Sequence, residues 1–177
     1  GGLIHVNVVG CALFAAISGS SAATVATVGK MSIPELRKRN YPEKILLGSL
    51  AGSGTLGLLI PPSIILIIYG VTVQESIAKL FVAGIIPGIM IALIFMGYVI
   101  VWSLFNKKKM PSIYSQYSFI DKIKRSGQLI PVIILILSVI GSIYTGIATA
   151  TEAASLGVIG ALILSYLQKS LSWSNFK

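Results

Sequence analysis

The chain has 177 residues, of which 55% are hydrophobic and 11% are charged, and its formal net charge is +9. A soluble domain has about a quarter of its residues charged, so this composition and a mean hydropathy of +0.90 exclude an ordinary soluble fold and indicate a membrane protein. The basic residues lie in loops between apolar segments, as cytoplasmic loops do, so the positive charge does not predict a nucleic-acid partner. Cys11 is the only cysteine, which excludes an intrachain disulfide.

The first predicted element is a helical hairpin that covers residues 1–30. An apolar helix rich in small residues is interrupted at Ser18-Gly19-Ser20-Ser21. The return arm from Ser21 to Gly29 extends roughly 13 Å as a helix, which is too short to cross a hydrocarbon core of about 30 Å. We therefore expect a re-entrant hairpin with Ser18–Ser21 at its tip, because non-helical backbone at membrane depth must be buried in protein or line a cavity.

Residues 31–42 are predicted to form a basic cytoplasmic loop that begins after Lys30. Within it, Ser32 and Glu35 have the spacing of a capping box, with Pro34 in the first turn. This pattern predicts a short surface helix that ends by Asn40.

Residues 43–72 are predicted to form a discontinuous transmembrane helix. Its first arm, Glu43–Gly52, is roughly 15 Å long as a helix and leaves the loop to which the hairpin returns. The polar segment Gly52-Ser53-Gly54-Thr55 should therefore interrupt the helix at the depth of the hairpin tip, near the bilayer midplane. After this interruption, Pro61 and Pro62 can begin a second half-helix, because the first turn needs no N–H donor.

The rest of the sequence predicts apolar helices separated by a basic linker. Thr72 and Glu75 have capping-box spacing before a transmembrane helix at 76–105. Residues 106–127 are predicted to be a basic cytoplasmic linker, with an interfacial amphipathic helix at 118–126. Residues 128–168 are predicted to form a helical pair. Two crossings separate the two basic loops, so both can be cytoplasmic.

These elements define an all-α membrane protein whose transmembrane helices include a re-entrant hairpin and a discontinuous helix. The chain begins at Gly1 inside an apolar segment, so we interpret it as an internal part of a longer protein. The sequence contains no nucleophile–base pair, metal-ligand spacing or phosphate-binding loop, so we do not expect an enzyme.

The polar segments have two interpretations. Ser and Thr are common where membrane helices pack closely, so the hydroxyls of Ser18, Ser20, Ser21 and Thr24 can be packing groups. Alternatively, hydroxyls and unwound carbonyls are hard oxygen ligands that suit a cation such as sodium. Half-helix N-termini after Ser20 and Pro61 would present free N–H groups to an anion. Two polar segments at matching depth favour the second interpretation.

Other polar residues in apolar segments also have two interpretations. Glu152 can be a proton or ion site, but Thr149 and Glu152 also have the spacing of a capping box, which favours a structural cap. His5 and Asn7 can be direct ligands or polar links between helices, and the second role is favoured. The basic loops are interpreted as orientation signals and contacts with membrane lipid headgroups.

The order of several motifs resembles the large membrane subunit of tripartite ATP-independent periplasmic (TRAP) transporters. The resemblance covers nearly the whole chain and is weakest in the basic linker. It is carried by Gly1–Val9, Ala16–Thr24, Gly48–Ser63, Leu80–Gly88 and Ile143–Ala154.

This resemblance implies one half of an inverted-repeat elevator transporter in the bacterial inner membrane. Sodium would be the coupling ion, with no other cofactor, and the cargo would be an organic acid anion such as a dicarboxylate or sialic acid. The implied partners are a small TRAP membrane subunit and a periplasmic substrate-binding protein. The implied sodium-site residues are Ser18, Gly19, Ser20, Gly52, Ser53, Gly54 and Thr55. The implied substrate-binding residues are Ser20, Ser21, Thr24, Pro61 and Pro62.

The sequence departs from the family pattern at two positions. Many relatives have aspartate where this chain has Thr24, so a charged ligand is not implied there. The usual Thr-Pro-Thr-Glu is Thr149-Ala150-Thr151-Glu152 here, and the cap should survive because alanine is a strong helix former.

The alternative functions are an anion/sodium symporter of a related hairpin fold that needs no binding protein, and a membrane scaffold that transports nothing.

Overall fold

The computed structural model describes residues 2–107, 110–111, 127 and 130–167. These residues form helices and connecting turns, and none of them lies in a β-strand. They belong to two compact units, Gly1–Tyr114 and Ser115–Lys177. The predicted all-α architecture is therefore confirmed for the described part of the chain, whereas the interfacial helix expected at 118–126 lies outside it.

The first unit opens with a hairpin of two helices. A 3-10 turn at Gly2–Ile4 leads into α1, His5–Ser18. Helix α1 ends at Gly19, whose φ of 60° is in the left-handed region that glycine adopts without a steric penalty. Ser20 is extended, and its hydroxyl accepts a hydrogen bond from the Ala23 N–H at 3.4 Å, which caps α2, Ser21–Lys38.

Helix α2 differs from the sequence prediction, which expected a loop after Lys30. The helix continues to Lys38 with Pro34 inside it, and the predicted cap at Ser32 is wrong. The buried Ser32 hydroxyl has no hydrogen-bond partner among the described residues. Val28, Ser32 and Leu36 continue one buried face at four-residue spacing, so tertiary packing extends the helix through a charged segment whose charges lie on its exposed side.

A tight turn joins α2 to the next helix. Asn40 adopts a left-handed φ of 56° in this turn. The Arg37 Nε donates a hydrogen bond of 2.7 Å to the Glu43 carboxylate across it. Both side chains are more than half exposed, so the ion pair marks the turn and contributes little to stability.

The second predicted helix is interrupted later than the sequence suggests. Helix α3 spans Glu43–Gly54 and continues as a 3-10 turn, Thr55–Leu58. The predicted interruption at Gly52–Thr55 is therefore wrong. The Ser53 hydroxyl donates to the Ser49 carbonyl at 2.6 Å and the Thr55 hydroxyl to the Gly52 carbonyl at 2.7 Å. Such bonds to the preceding turn let serine and threonine remain helical.

The non-helical stretch is Leu59–Ser63, which we call the break. It contains Pro61 and Pro62, and proline interrupts a helix because it lacks an N–H and restricts the residue before it. Helix α4, Ile64–Val73, follows directly. Ser63 is buried, and its hydroxyl donates to the Leu58 carbonyl at 2.8 Å. This hydrogen bond joins the two ends of the break.

Helix α5, Ile77–Phe105, is the longest element, with 29 residues. Its cap is Ser76, which accepts a hydrogen bond from the Lys79 N–H at 3.4 Å. The predicted cap at Thr72 is wrong, because Thr72 is still inside α4 and its hydroxyl donates to the Ile68 carbonyl. Helix α4 ends instead at Gln74, which has a left-handed φ of 57°.

Two buried apolar clusters define the helix directions in the first unit. The basal cluster lies at the end of the unit where the α2–α3 turn lies, and the middle cluster lies one or two turns further along α1. Because Ile4 packs near Leu46 whereas Cys11 packs near Leu50, α1 and α3 run in the same direction. The basal cluster is Ile4, Leu36, Tyr41, Ile45, Leu46 and Val99. The middle cluster is Cys11, Val28 and Leu50.

The second unit contains α6, Ile130–Tyr144, and α7, Ala150–Leu167. The turn between them contains Gly146 at a φ of 73°. Thr149 and Glu152 make the reciprocal bonds of a capping box. The Thr149 N–H donates to the Glu152 carboxylate at 2.8 Å, and the Glu152 N–H donates to the Thr149 hydroxyl at 3.3 Å. Glu152 therefore has a structural partner at the start of α7.

Two of the described helices are long and apolar enough to cross a membrane. They are Ile77–Phe105 and Ala150–Leu167. Only 17% and 6% of their most apolar windows are buried. Most of their apolar side chains are therefore exposed, unlike those of a core helix in a soluble protein, and hydrocarbon is the environment that suits such a surface.

Candidate functional site

The hairpin tip, Ser18–Ser21, contains a compact cluster of oxygen atoms. The Thr24 hydroxyl donates to the Ser20 carbonyl at 2.7 Å. The Ser18 hydroxyl lies 3.0 Å from the Thr24 hydroxyl and 3.3 Å from the Ser20 carbonyl. Thr24 is fully buried. Because Gly19 turns the chain between the two helices, three oxygen atoms from consecutive turns come within hydrogen-bond distance of one another.

The hairpin tip contacts the break through backbone atoms. The Ile64 N–H, the first of α4, donates to the Gly19 carbonyl at 3.2 Å. A Cβ built on Gly19 would lie 2.7 Å from the Pro62 carbonyl oxygen, and one built on Gly57 would lie 2.8 Å from the Ser21 nitrogen. The structure thus brings Ser18–Ser21 next to the prolines that precede α4.

The residues of the Gly52–Thr55 segment contact different parts of the structure. A Cβ on Gly54 would contact the Val25 side chain and lie 3.8 Å from the Ser21 carbonyl oxygen, so Gly54 is beside the hairpin tip. Gly52 faces Phe95 of α5 instead, with the ring 3.1 Å from its Cβ position. Ser53 and Thr55 do not share a site either. Ser53 is fully buried against α1, whereas Thr55 is exposed.

Asn7 links α1 to α3. Its amide nitrogen donates to the Leu46 carbonyl at 3.2 Å and to the Ser49 hydroxyl at 2.9 Å. The Ser53 hydroxyl lies 3.4 Å from the Asn7 carbonyl oxygen. Asn7 is fully buried, and its side-chain oxygen has no partner among the described residues. These contacts fix the register of the two parallel helices, as expected for a polar link between membrane helices.

Four residues at this junction belong to segments that carry the family resemblance, but the sequence did not predict a role for them in the site. Ser63 closes the break, Gly57 contacts the hairpin tip, and Gly84 and Gly88 of α5 pack against the break. The Gly-x-x-x-Gly spacing of the last two is a known signal for close helix packing. No sequence pattern predicts a role for Gly57, because its role depends on the Ser21 backbone that lies next to it in the folded chain.

The chemistry of the junction is that of uncharged oxygen ligands. A hydroxyl that donates its proton to a carbonyl still has lone pairs available, so Ser18 and Thr24 can face a hard cation without charged neighbours. The described residues contain no group of three or more His, Cys, Asp or Glu side chains that could hold a metal ion. The arrangement fits a weakly held monovalent cation better than a tightly bound transition metal.

Comparison with known proteins identifies the family. A family model described as "Tripartite ATP-independent periplasmic transporter, DctM component" matches residues 1–177. The C4-dicarboxylate TRAP transporter large permease protein DctM of Pseudomonas aeruginosa is 38% identical over 159 residues, which cover 90% of this chain and 36% of that protein. The protein of the same description from Vibrio cholerae is 32% identical over 166 residues, which cover 93% and 36%.

A third relative has a composite name. The isethionate TRAP transporter permease protein DctMQ of Oleidesulfovibrio alaskensis is 36% identical over 184 residues, which cover 99% of this chain and 28% of that protein. The chain thus spans well under half the length of these curated relatives. Since the family match extends from the first residue to the last, the chain belongs to the DctM component family of tripartite ATP-independent periplasmic transporters.

Proposed function

We propose that this chain forms one half of the transport core of a TRAP large permease that moves an organic acid anion, coupled to sodium, across the bacterial inner membrane. The observation that carries the proposal is the contact between the oxygen-rich hairpin tip and the start of α4, with the Gly19 carbonyl 3.2 Å from the Ile64 nitrogen. Transporters of this architecture bind substrate and ion where discontinuous helices meet.

The position of the junction along α5 supports a re-entrant hairpin and a discontinuous helix. Gly84 and Gly88 face Leu59 and Ile60 of the break. They lie roughly 10–17 Å from the start of α5, which is itself roughly 43 Å long. The hairpin tip is therefore well inside the span of a helix that can cross the bilayer, and α3 and α4 together run alongside that helix.

The proposed sodium ligands are the oxygen atoms of the hairpin tip. They are the hydroxyls of Ser18 and Thr24 and the carbonyls of Gly19 and Ser20. The resemblance implied a substrate role for Thr24, but we assign it to the ion because its buried hydroxyl lies 3.0 Å from the Ser18 hydroxyl. Gly54 is the member of the second polar segment that lies beside the tip, so we include it in the same site. For Gly52 and Ser53 the contacts support packing roles. The exposed Thr55 hydroxyl bonds to the Gly52 carbonyl in the preceding turn.

The proposed substrate face is the outer side of the same junction, at Ser20, Ser21, Pro61 and Pro62. Relatives are named for C4-dicarboxylates, isethionate, ectoine and sialic acid. These solutes share a carboxylate or sulfonate, which the partial positive charge of a half-helix N-terminus favours. The proposed partners are a small membrane subunit, which the composite DctMQ relative suggests can be fused, and a periplasmic binding protein.

The test is solute uptake by proteoliposomes that contain the full-length parent protein and its small membrane subunit. C4-dicarboxylate, isethionate and sialic acid are each offered with sodium and binding protein present or omitted. We expect uptake of one solute that requires both. Uptake that needs sodium but no binding protein would replace the proposal by the symporter alternative, and no uptake of any solute would support a scaffold.

A further inference from the structure

We propose that Gly19, Gly57 and Gly84 form a glycine joint, a place where the hairpin tip, the break and α5 meet backbone to backbone, and that Gly57 and Gly84 are positioning residues for the transport site. This inference rests on the proposed function for its functional readout. Its structural basis, however, is independent of which ion or solute is carried.

The close approach is the same at each of the three glycines. An added Cβ would lie 2.7 Å from the Pro62 carbonyl oxygen at Gly19, 2.8 Å from the Ser21 nitrogen at Gly57, and 2.7 Å from the Leu59 carbonyl oxygen at Gly84. Among the described glycines from Gly10 onwards, these are the three whose added Cβ would come within 3.0 Å of a backbone atom. All three belong to one junction in the first unit.

The other crowded glycines have a different kind of neighbour. Gly29 and Gly54 approach side-chain carbons of Leu50 and Val25, and Gly88 approaches a side-chain carbon of Ile60 at 3.1 Å. Side chains can change rotamer at a modest free-energy cost, whereas a packed backbone segment moves only as a unit. The three joint glycines are therefore distinct from ordinary small-residue packing.

The joint contains backbone groups that the transport site needs in place. The Ile64 N–H donates to the Gly19 carbonyl, which bonds the tip to the start of α4, and the Ser63 hydroxyl donates to the Leu58 carbonyl, which bonds the two ends of the break to each other. The atoms nearest to an added Cβ at Gly84 belong to Leu59, Leu66 and Pro61, in the break and α4. An effect of Gly84→Ala on ion binding at the tip would therefore be exerted through the position of the break.

Helix α5 supplies a graded series for the test. Gly84, Gly88 and Gly97 all lie inside this helix. The atom nearest to the added Cβ is a backbone oxygen at Gly84 and a side-chain carbon at Gly88, whereas no described atom lies within 4 Å of it at Gly97. Alanine is favoured over glycine in the interior of a helix. Without a contact, each alanine should therefore stabilise α5, and a close backbone contact such as the one at Gly84 should reverse that sign.

The experiment compares Gly84→Ala, Gly88→Ala and Gly97→Ala in the full-length parent with its small subunit. Uptake is measured as a function of sodium and of solute, and the thermal unfolding midpoint is measured for each purified assembly. We expect Gly84→Ala to raise the half-saturating sodium concentration by roughly tenfold, Gly88→Ala to have a smaller effect, and Gly97→Ala to remain within about twofold of the parent. Gly57→Ala, paired with Gly48→Ala in α3 as its open-space control, should repeat the contrast.

The outcomes separate the joint from the proposed function. If Gly84→Ala and Gly57→Ala match their controls in sodium activation and in unfolding midpoint, the joint does not exist. If they lower only the amount of folded protein and leave sodium activation unchanged, the glycines are packing residues and not positioning residues. If the parent carries solute without sodium, the proposed coupling fails. The same contrast is then expected in the half-saturating solute concentration, and equal values for variants and controls would overturn the joint as well.

Discussion

At the residue scale, the hairpin tip depends on two hydroxyls and one glycine. Gly19 permits the left-handed turn, and this turn lets the Ser18 hydroxyl approach the Thr24 hydroxyl at 3.0 Å. Thr24 is buried and uncharged. A site built here from neutral oxygen atoms should therefore bind its cation weakly and release it readily, which suits a coupling ion.

The first prediction concerns Thr24. Thr24→Val keeps the shape and removes the hydroxyl, which leaves the Ser20 carbonyl without its 2.7 Å donor. A lost ligand or buried hydrogen bond costs roughly 1–2 kcal/mol, so the half-saturating sodium concentration in the uptake assay should rise by about tenfold. Thr24→Ser, which restores a hydroxyl, should recover most of the sodium affinity.

The control for this prediction is Thr72→Val. Thr72 also donates to a carbonyl of its own helix, at 2.8 Å, but it is exposed and lies outside the junction. It should leave sodium activation within about twofold of the parent. If Thr24→Val and Thr72→Val behave alike, Thr24 is a packing residue, as the alternative interpretation of the sequence held.

At the scale of elements, the second prediction concerns the cap of α7. Glu152→Gln keeps an oxygen that can accept from the Thr149 N–H, so uptake should stay within about twofold of the parent. Thr149→Ala removes the hydroxyl that receives the Glu152 N–H and should lower stability by roughly 1 kcal/mol. Uptake and thermal unfolding are both measured. Loss of uptake in Glu152→Gln with an unchanged midpoint would show that Glu152 carries a proton or ion.

The elements also show what local sequence can predict. The turn at Ser18–Ser21 was predictable because a left-handed glycine beside a capping serine is favoured by local geometry. The helix through Gly52–Gly54 was not, since glycine and serine disfavour helix locally, and here the segment is buried against α1, α2 and α5. The extension of α2 past Lys30 was not predictable either, because Ser32 and Leu36 join a buried face that exists only once α1 and α3 are in place.

For the candidate site, sequence indicated the residue types better than their grouping. Ser18, Ser20 and Thr24 lie in one short segment, so their proximity follows from a single turn. The contacts of Gly57 with Ser21 and of Gly84 with Leu59 depend on which backbone segments approach each other in three dimensions. Composition and periodicity contain no information about such long-range backbone contacts, which is why the junction is defined only by the structure.

At the scale of the whole molecule, the first unit has two regions of different chemistry. The basal cluster is apolar and includes Val99 of α5, whereas the junction at the other end of α1 is built from hydroxyls, carbonyls and glycines. Helix α5 contacts both regions. The hairpin, the broken helix and α5 are therefore packed as one body, and ligand binding at the junction should stabilise that body as a whole.

The last prediction follows from this coupling. A cation that binds the folded state but not the unfolded state stabilises the protein by mass action, by about 1.4 kcal/mol at a concentration ten times its dissociation constant. The unfolding midpoint of the full-length parent with its small subunit should therefore rise with sodium and not with potassium at equal ionic strength. Ser18→Ala should abolish that rise, because it removes one of the proposed ligands, whereas Ser138→Ala, an exposed serine that donates to its own helix, should preserve it. An equal rise with both salts would indicate a general ionic effect and no sodium site, while a sodium-specific rise that persists in Ser18→Ala would place the ion away from the hairpin tip.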